Sequence, residues 1–109
     1  MADFTIKQGD TKPNLVITLR DANDNLVDLT GSTIVLHISD PGGTVIVNEE
    51  IEESQTPTDG TITWEPTSDL TQTPGYYYAE YQIVFPDLSV QTFPNSKRGL
   101  VIEVIKQIL

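Results

Sequence analysis

From Gly75 onward the chain alternates. Tyr77, Ala79, Tyr81, Ile83 and Phe85 form one set of positions, and Tyr76, Tyr78, Glu80 and Gln82 form the other. A period of two places successive side chains on opposite faces of a strand, one toward a core and one toward water. The stretch from Thr73 to Phe93 therefore predicts two strands joined by a tight reversal, opened by Pro74-Gly75. The same alternation recurs in shorter runs. Phe4 to Gln8 is a strand, ended by Gly9 to Pro13, because Pro13 donates no backbone hydrogen bond and biases Lys12 away from helix. Leu15 to Arg20 is a second strand, with Leu15, Ile17 and Leu19 on one face. Asp21 to Asn25 is a turn, since Asp and Asn bond their own backbone and tolerate left-handed geometry.

Leu26 to Leu29 is a short extended piece before Thr30-Gly31. Ser32 to Ser39 places Ile34, Leu36 and Ile38 opposite Val35 and His37. Asp40-Pro41-Gly42-Gly43 is a strong turn signal, and Thr44 to Asn48 returns as a hairpin partner. Gly60 to Glu65 is a strand with Ile62 and Trp64 on one face, followed by a connection with one helical turn at Ser68-Asp69-Leu70. Leu100 to Ile105 closes the series, with Leu100, Ile102 and Val104 alternating against Val101, Glu103 and Ile105. Seven or eight short strands, with turns about every 8–12 residues, predict an all-β, immunoglobulin-like antiparallel β-sandwich. Residues 1–109 form one domain, with no internal repeat and no linker. Tyr77, at the start of a late strand, is the natural residue to hydrogen-bond back across a corner. Trp64, the only Trp, belongs to the core.

Composition then removes several function classes. Sixteen acidic against six basic residues give a net charge of −10, which repels phosphate backbones and argues against nucleic acid as a partner. There is no Cys, so neither disulfides nor thiolate metal sites are available. No apolar run is long enough for a membrane-spanning helix, and Met1 to Ile6 does not read as a signal peptide.

Catalytic chemistry finds no constellation. His37 is the single His, without the partners a triad or a zinc site needs. Asp21-Ala22-Asn23-Asp24-Asn25 begins like a calcium loop. The template wants Gly at its sixth position and Glu at its twelfth, and here Leu26 and Ser32 stand there. It reads as a polar hairpin turn. Glu49, Glu50, Glu52 and Glu53 read as a solvated edge that discourages unwanted strand pairing. The expectation is a protein without enzymatic activity, cofactor or metal.

What remains are binding surfaces. Tyr76 and Tyr78 share the outward face at i and i+2, and Tyr is favoured at interfaces for its large rigid ring and polar tip. Val101, Ile105, Ile108 and Leu109 are more apolar than a free end usually is. They dock onto a neighbour, or mark where a longer parent was cut.

Phe4-x-Ile6-x-Gln8-Gly9-Asp10-Thr11, Leu15 to Leu19, Asp21 to Asn25 and Val27-Asp28-Leu29-Thr30-Gly31 resemble the N-terminal domain of siphophage upper baseplate proteins. Gly60-x-Ile62-x-Trp64, Thr73-Pro74-Gly75-x-Tyr77-x-Ala79-Glu80-Tyr81 and Thr92-Phe93-Pro94-Asn95 are similar to its second half. The resemblance covers nearly the whole chain and lies in turn and core patterns. It implies a β-sandwich that attaches its protein to the virion tail, with receptor recognition elsewhere in longer members. The expectation is a structural protein of a tailed-phage virion, made in the host cytoplasm. Its partners would be other virion proteins or further copies of itself, in the tail or baseplate. The alternatives are a head decoration protein and a carbohydrate-binding module using Tyr76 and Tyr78.

Overall fold

The computed structural model describes residues 2–52, 57–94 and 99–108. The strands are β1 (Phe4–Lys7), β2 (Leu15–Thr18), β3 (Thr33–Ser39), β4 (Val45–Ile51), β5 (Thr61–Trp64), β6 (Gly75–Val84), β7 (Val90–Phe93) and β8 (Leu100–Ile105). A single 3-10 turn at Pro57–Asp59 and one helical turn, α1 (Ser68–Thr71), complete the elements. The fold is all-β and sandwich-like, with one six-stranded and one two-stranded sheet.

The long alternating strand β6 is the axis of the large sheet. Along one edge it pairs antiparallel with all of β3, and β3 pairs with β4. Its other edge is shared. Residues 75–79 pair with β8, and residues 81–84 pair with β7, its hairpin partner. β1 attaches outside β8 and runs parallel to it, Phe4 opposite Ile102 and Lys7 opposite Ile105. This is the one parallel pairing among the described strands, and it departs from the wholly antiparallel expectation. Leu26 makes only an isolated bridge to Arg20, so the piece predicted at Leu26 to Leu29 is not a strand of its own. The predicted return strand after Asp40 to Gly43 is longer than expected and runs on through Glu49 and Glu50 to Ile51.

The small sheet is β2 paired with β5, Leu15 opposite Trp64 and Ile17 opposite Ile62. These four side chains face the inward positions of the large sheet, where Leu36, Ile38, Ala79, Tyr81, Ile83 and Ile102 are fully buried. The alternation read from the sequence thus becomes one core between two layers. Trp64 and Tyr77 lie inside it, as expected. The Trp64 indole N–H donates to the Glu49 carboxylate at 2.7 Å. An indole N–H is a donor only, so burial of the ring requires such an acceptor. The Tyr77 hydroxyl donates to the Thr73 carbonyl at 2.6 Å, which is the predicted bond back across the corner. Burial first, and then the Asp40 carboxylate, push the Tyr77 phenol above its ordinary value.

Turn chemistry follows the sequence. Asp21 accepts from the backbone N–H groups of Asn23 and Asn25, both at 2.9 Å, so its carboxylate organises the polar turn. Asp28 and Asp87 each hold a hydroxyl and a backbone N–H two residues on, from Thr30 and Ser89, and these bonds hold both carboxyls below the usual range. Gly60 is required where it stands. Its φ is +69°, and a Cβ there would lie 2.7 Å from the Leu19 carbonyl oxygen and 3.1 Å from that of Val27.

Among the described residues two buried side-chain oxygens have no hydrogen-bond partner, Ser32 Oγ and the Tyr81 hydroxyl, and the second lies in the core. The Tyr81 hydroxyl is fully buried and has no hydrogen-bond partner, while burial pushes its phenol far above the ordinary value. A buried hydroxyl without a partner loses its hydration and gains nothing in return. Tyr81→Phe keeps the ring and removes that oxygen. It is expected to raise unfolding stability by about 1 kcal/mol, measured by urea denaturation. A loss of that size would show that the hydroxyl is paired.

Candidate functional site

The small sheet covers one face of the large sheet and leaves the other uncovered by strands. That outward face collects the off-core positions of six strands. β6 contributes Tyr76, Tyr78, Glu80 and Gln82, β3 contributes Val35, His37 and Ser39, β4 contributes Asn48 and Glu50, and β8 contributes Val101, Glu103 and Ile105. The cross-strand register decides which of them meet. Tyr76 stands opposite Glu103, and Tyr78 stands between Val101 on β8 and Ser39 on β3. Ile105 is two positions beyond Glu103 on the same face, opposite Lys7 of β1. The outward parity of Tyr76, Tyr78 and Ile105 predicted from the alternation is therefore present on one surface.

The two tyrosines do different things on it. Tyr76 is 49% exposed, a large apolar area for a strand residue. Tyr78 is half-buried. They line two neighbouring hollows that share Asp40 and Pro41 rather than one aromatic platform. The hollow at Tyr76, about 390 Å³, lies against Asp69, Gln72 and Ile46. The groove at Tyr78, about 600 Å³, runs across β6, β3 and β4 past Glu80, His37 and Asn48.

The segment after β8 is held down before it is released. The Gln8 N–H donates to the Ile105 carbonyl at 2.7 Å, so Ile105 is half-buried and part of the sheet. The Gln107 side-chain amide donates to the Gln8 carbonyl at 2.8 Å. One residue later Ile108 is 91% exposed. Leu109 lies outside the described residues. Of the apolar end read as one patch, Ile105 belongs to the fold and Ile108 to the surface.

The four acids from Glu49 to Glu53 also divide. Glu49 pairs in register with Leu36 and, although exposed, reaches the Trp64 indole N–H as its acceptor, whereas Glu50 lies on the opposite face of β4. Glu52 is exposed, and Glu53 lies outside the described residues. Among the described residues no group of three or more His, Asp or Glu side chains is arranged to hold a metal ion.

His37 is the residue whose setting the sequence reading missed. Read as a lone exposed strand His, it sits half-buried, opposite Asn48 on one side and Glu80 on the other. The signal was the shared outward parity of positions 37, 48, 78 and 80, which becomes visible only once the strand register is known.

The chain matches no protein-family model, and comparison with curated proteins finds no significant relative.

Proposed function

We propose that this protein is a non-enzymatic structural component of a tailed-phage virion, an assembly module of the tail or baseplate that binds other virion proteins or further copies of itself. The observation that carries the reading is apolar surface in two adjoining places, half-exposed Tyr76 on the outward sheet face that also bears Ile105, and fully presented Ile108 just beyond the end of β8. Apolar side chains presented beside polar ones are the composition of contact surfaces, and Tyr is over-represented in them. The resemblance of the turn and core motifs to the siphophage upper baseplate N-terminal domain supplies the kind of assembly. It is an argument by analogy, because many functions share this fold.

Tyr76→Ala and Ile108→Asp touch surface groups, so each is expected to shift stability by no more than about 0.5 kcal/mol. Together they are expected to deplete the protein from purified particles, read by quantitative mass spectrometry of virions against the unaltered chain. Normal occupancy of the double variant would overturn the assignment of this face. Absence of the unaltered protein from purified particles would overturn the virion reading itself. Cryo-electron microscopy of the same particles distinguishes the tail from the head surface.

A further inference from the structure

We propose that the groove at Tyr78 is a binding site for a neutral oligosaccharide. The proposal stands apart from the virion reading and rests on the chemistry of one surface. Three strands and one turn bring His37, Asn48, Tyr78, Glu80 and Asp40 around a groove of about 600 Å³. That volume lies within the roughly 300–1,000 Å³ of small-ligand clefts. The register fixes the arrangement, since His37 is directly opposite both Asn48 and Glu80, and Tyr78 is two residues from Glu80 on the same face.

The donor and acceptor set selects the ligand class. Glu80 and Asp40 supply carboxylate acceptors. Asn48 offers both an amide donor and a carbonyl acceptor, and the His37 imidazole adds ring nitrogens able to hydrogen-bond. Sugar hydroxyls each donate one hydrogen bond and accept another, which matches this mixed set. A bare cation would need acceptors only, and the donors of Asn48 and His37 would be wasted on it. An anionic sugar would meet Glu80 and Asp40 on a chain of net charge −10. Tyr78 contributes an aromatic ring, the group that packs against the apolar C–H face of a pyranose.

The polar groups are also free to serve. Among the described residues, the side chains of His37, Asn48, Tyr78 and Glu80 make no hydrogen bond or ion pair with the protein. Glu80 and His37 face each other across the strands without forming an ion pair. Asp40 is different, since its carboxylate accepts the Thr44 N–H at 3.0 Å and shapes the turn at the end of the groove. Four adjacent side chains with open valences, His37 and Tyr78 half-buried and Asn48 and Glu80 exposed, are brought together by strand pairing rather than by one another, so binding need not break a bond within the protein.

The test is a screen of the full chain on an array of neutral glycans, followed by two-dimensional NMR titration. The titration uses maltotriose, cellotriose, triacetylchitotriose and the strongest array ligand, up to about 10 mM, which suffices for a millimolar Kd. The expected result is saturable shifts confined to the amides of His37, Asn48, Tyr78, Glu80 and their neighbours. Asn48→Ala, an exposed edge-strand change, is expected to weaken binding about two- to tenfold, the effect of one lost hydrogen bond. A hepta-arginine peptide is titrated in parallel. The proposal fails if no glycan binds in either assay, or if the shifts fall on another surface. It also fails if Asn48→Ala and Glu80→Gln both leave affinity unchanged, or if hepta-arginine alone shifts the groove amides.

Discussion

Replacing Trp64 with alanine is expected to destabilise the fold by about 3–5 kcal/mol, the usual effect of emptying a large aromatic site in a core. Trp64 is 4% exposed and stands where β5 meets the large sheet. Its removal leaves a void between the two sheets, in the core formed with the inward side chains of the large sheet. Chemical denaturation followed by circular dichroism measures the loss. Trp64→Phe is the milder change, since it keeps a ring in the site while removing the N–H donor to Glu49 and part of the indole volume. The smaller change is expected to cost about 1–3 kcal/mol, including the hydrogen bond and the unfilled part of the site. As the only Trp, it also reports directly. Native fluorescence with the emission of a water-exposed indole would contradict the buried position.

Gly60→Ala carries the second large effect. Left-handed backbone costs an L-residue about 1–2 kcal/mol, and a Cβ at 2.7 Å from the Leu19 carbonyl adds a collision with backbone that has no flexible end to yield. The sum is expected to be about 2–4 kcal/mol, a large value for a single substitution, at a buried glycine. Gly9→Ala is the control. Gly9 has a φ of +84° with open space around its missing Cβ, so it should show the backbone penalty alone. Equal losses at the two sites would mean that the segments bearing Leu19 and Val27 move apart without resistance.

Legibility in the sequence tracked how local each feature is. The β6–β7 hairpin was readable because the alternation from Tyr77 to Phe85 and the reversal after it lie in one continuous stretch. The Tyr77 corner bond was readable because its partner, Thr73, is four residues away. Strand faces came through for the same reason, as Leu36 and Ile62 show. Partners did not. Period-two patterning assigns a side chain to a face, and it carries no information about which strand lies alongside. The parallel placement of β1 against β8, the six-and-two division of strands and the role of Glu49 toward Trp64 all depend on that missing knowledge. Glu49 shows the limit well. Within a run of acids it looks like every other solvated carboxylate, and only its register with Leu36 puts it on the face that reaches Trp64. The outward tyrosines were legible as residues of one face, while the groove beside Tyr78 needed side chains from three separate segments.

The attachment of β1 also dictates an order of events when the chain folds. Among the described strands β1 pairs with β8 alone, with Phe4 aligned to Ile102 and the Val101 N–H donating to the Asp3 carboxylate, 98 residues away in sequence. The first strand in chain order must therefore wait for the last. Closing so long a loop carries an entropy penalty before any contact compensates it, which puts folding in the slow range of roughly milliseconds to seconds typical of nonlocal β topologies. On the ribosome, Phe4 and Ile6 emerge early and stay without their native neighbours while β2 to β7 are made. A chain halted before Leu100 can assemble the β3–β4 and β6–β7 hairpins, yet it leaves half of one β6 edge open and β1 unattached. Such an intermediate is the species prone to pair with the wrong chain.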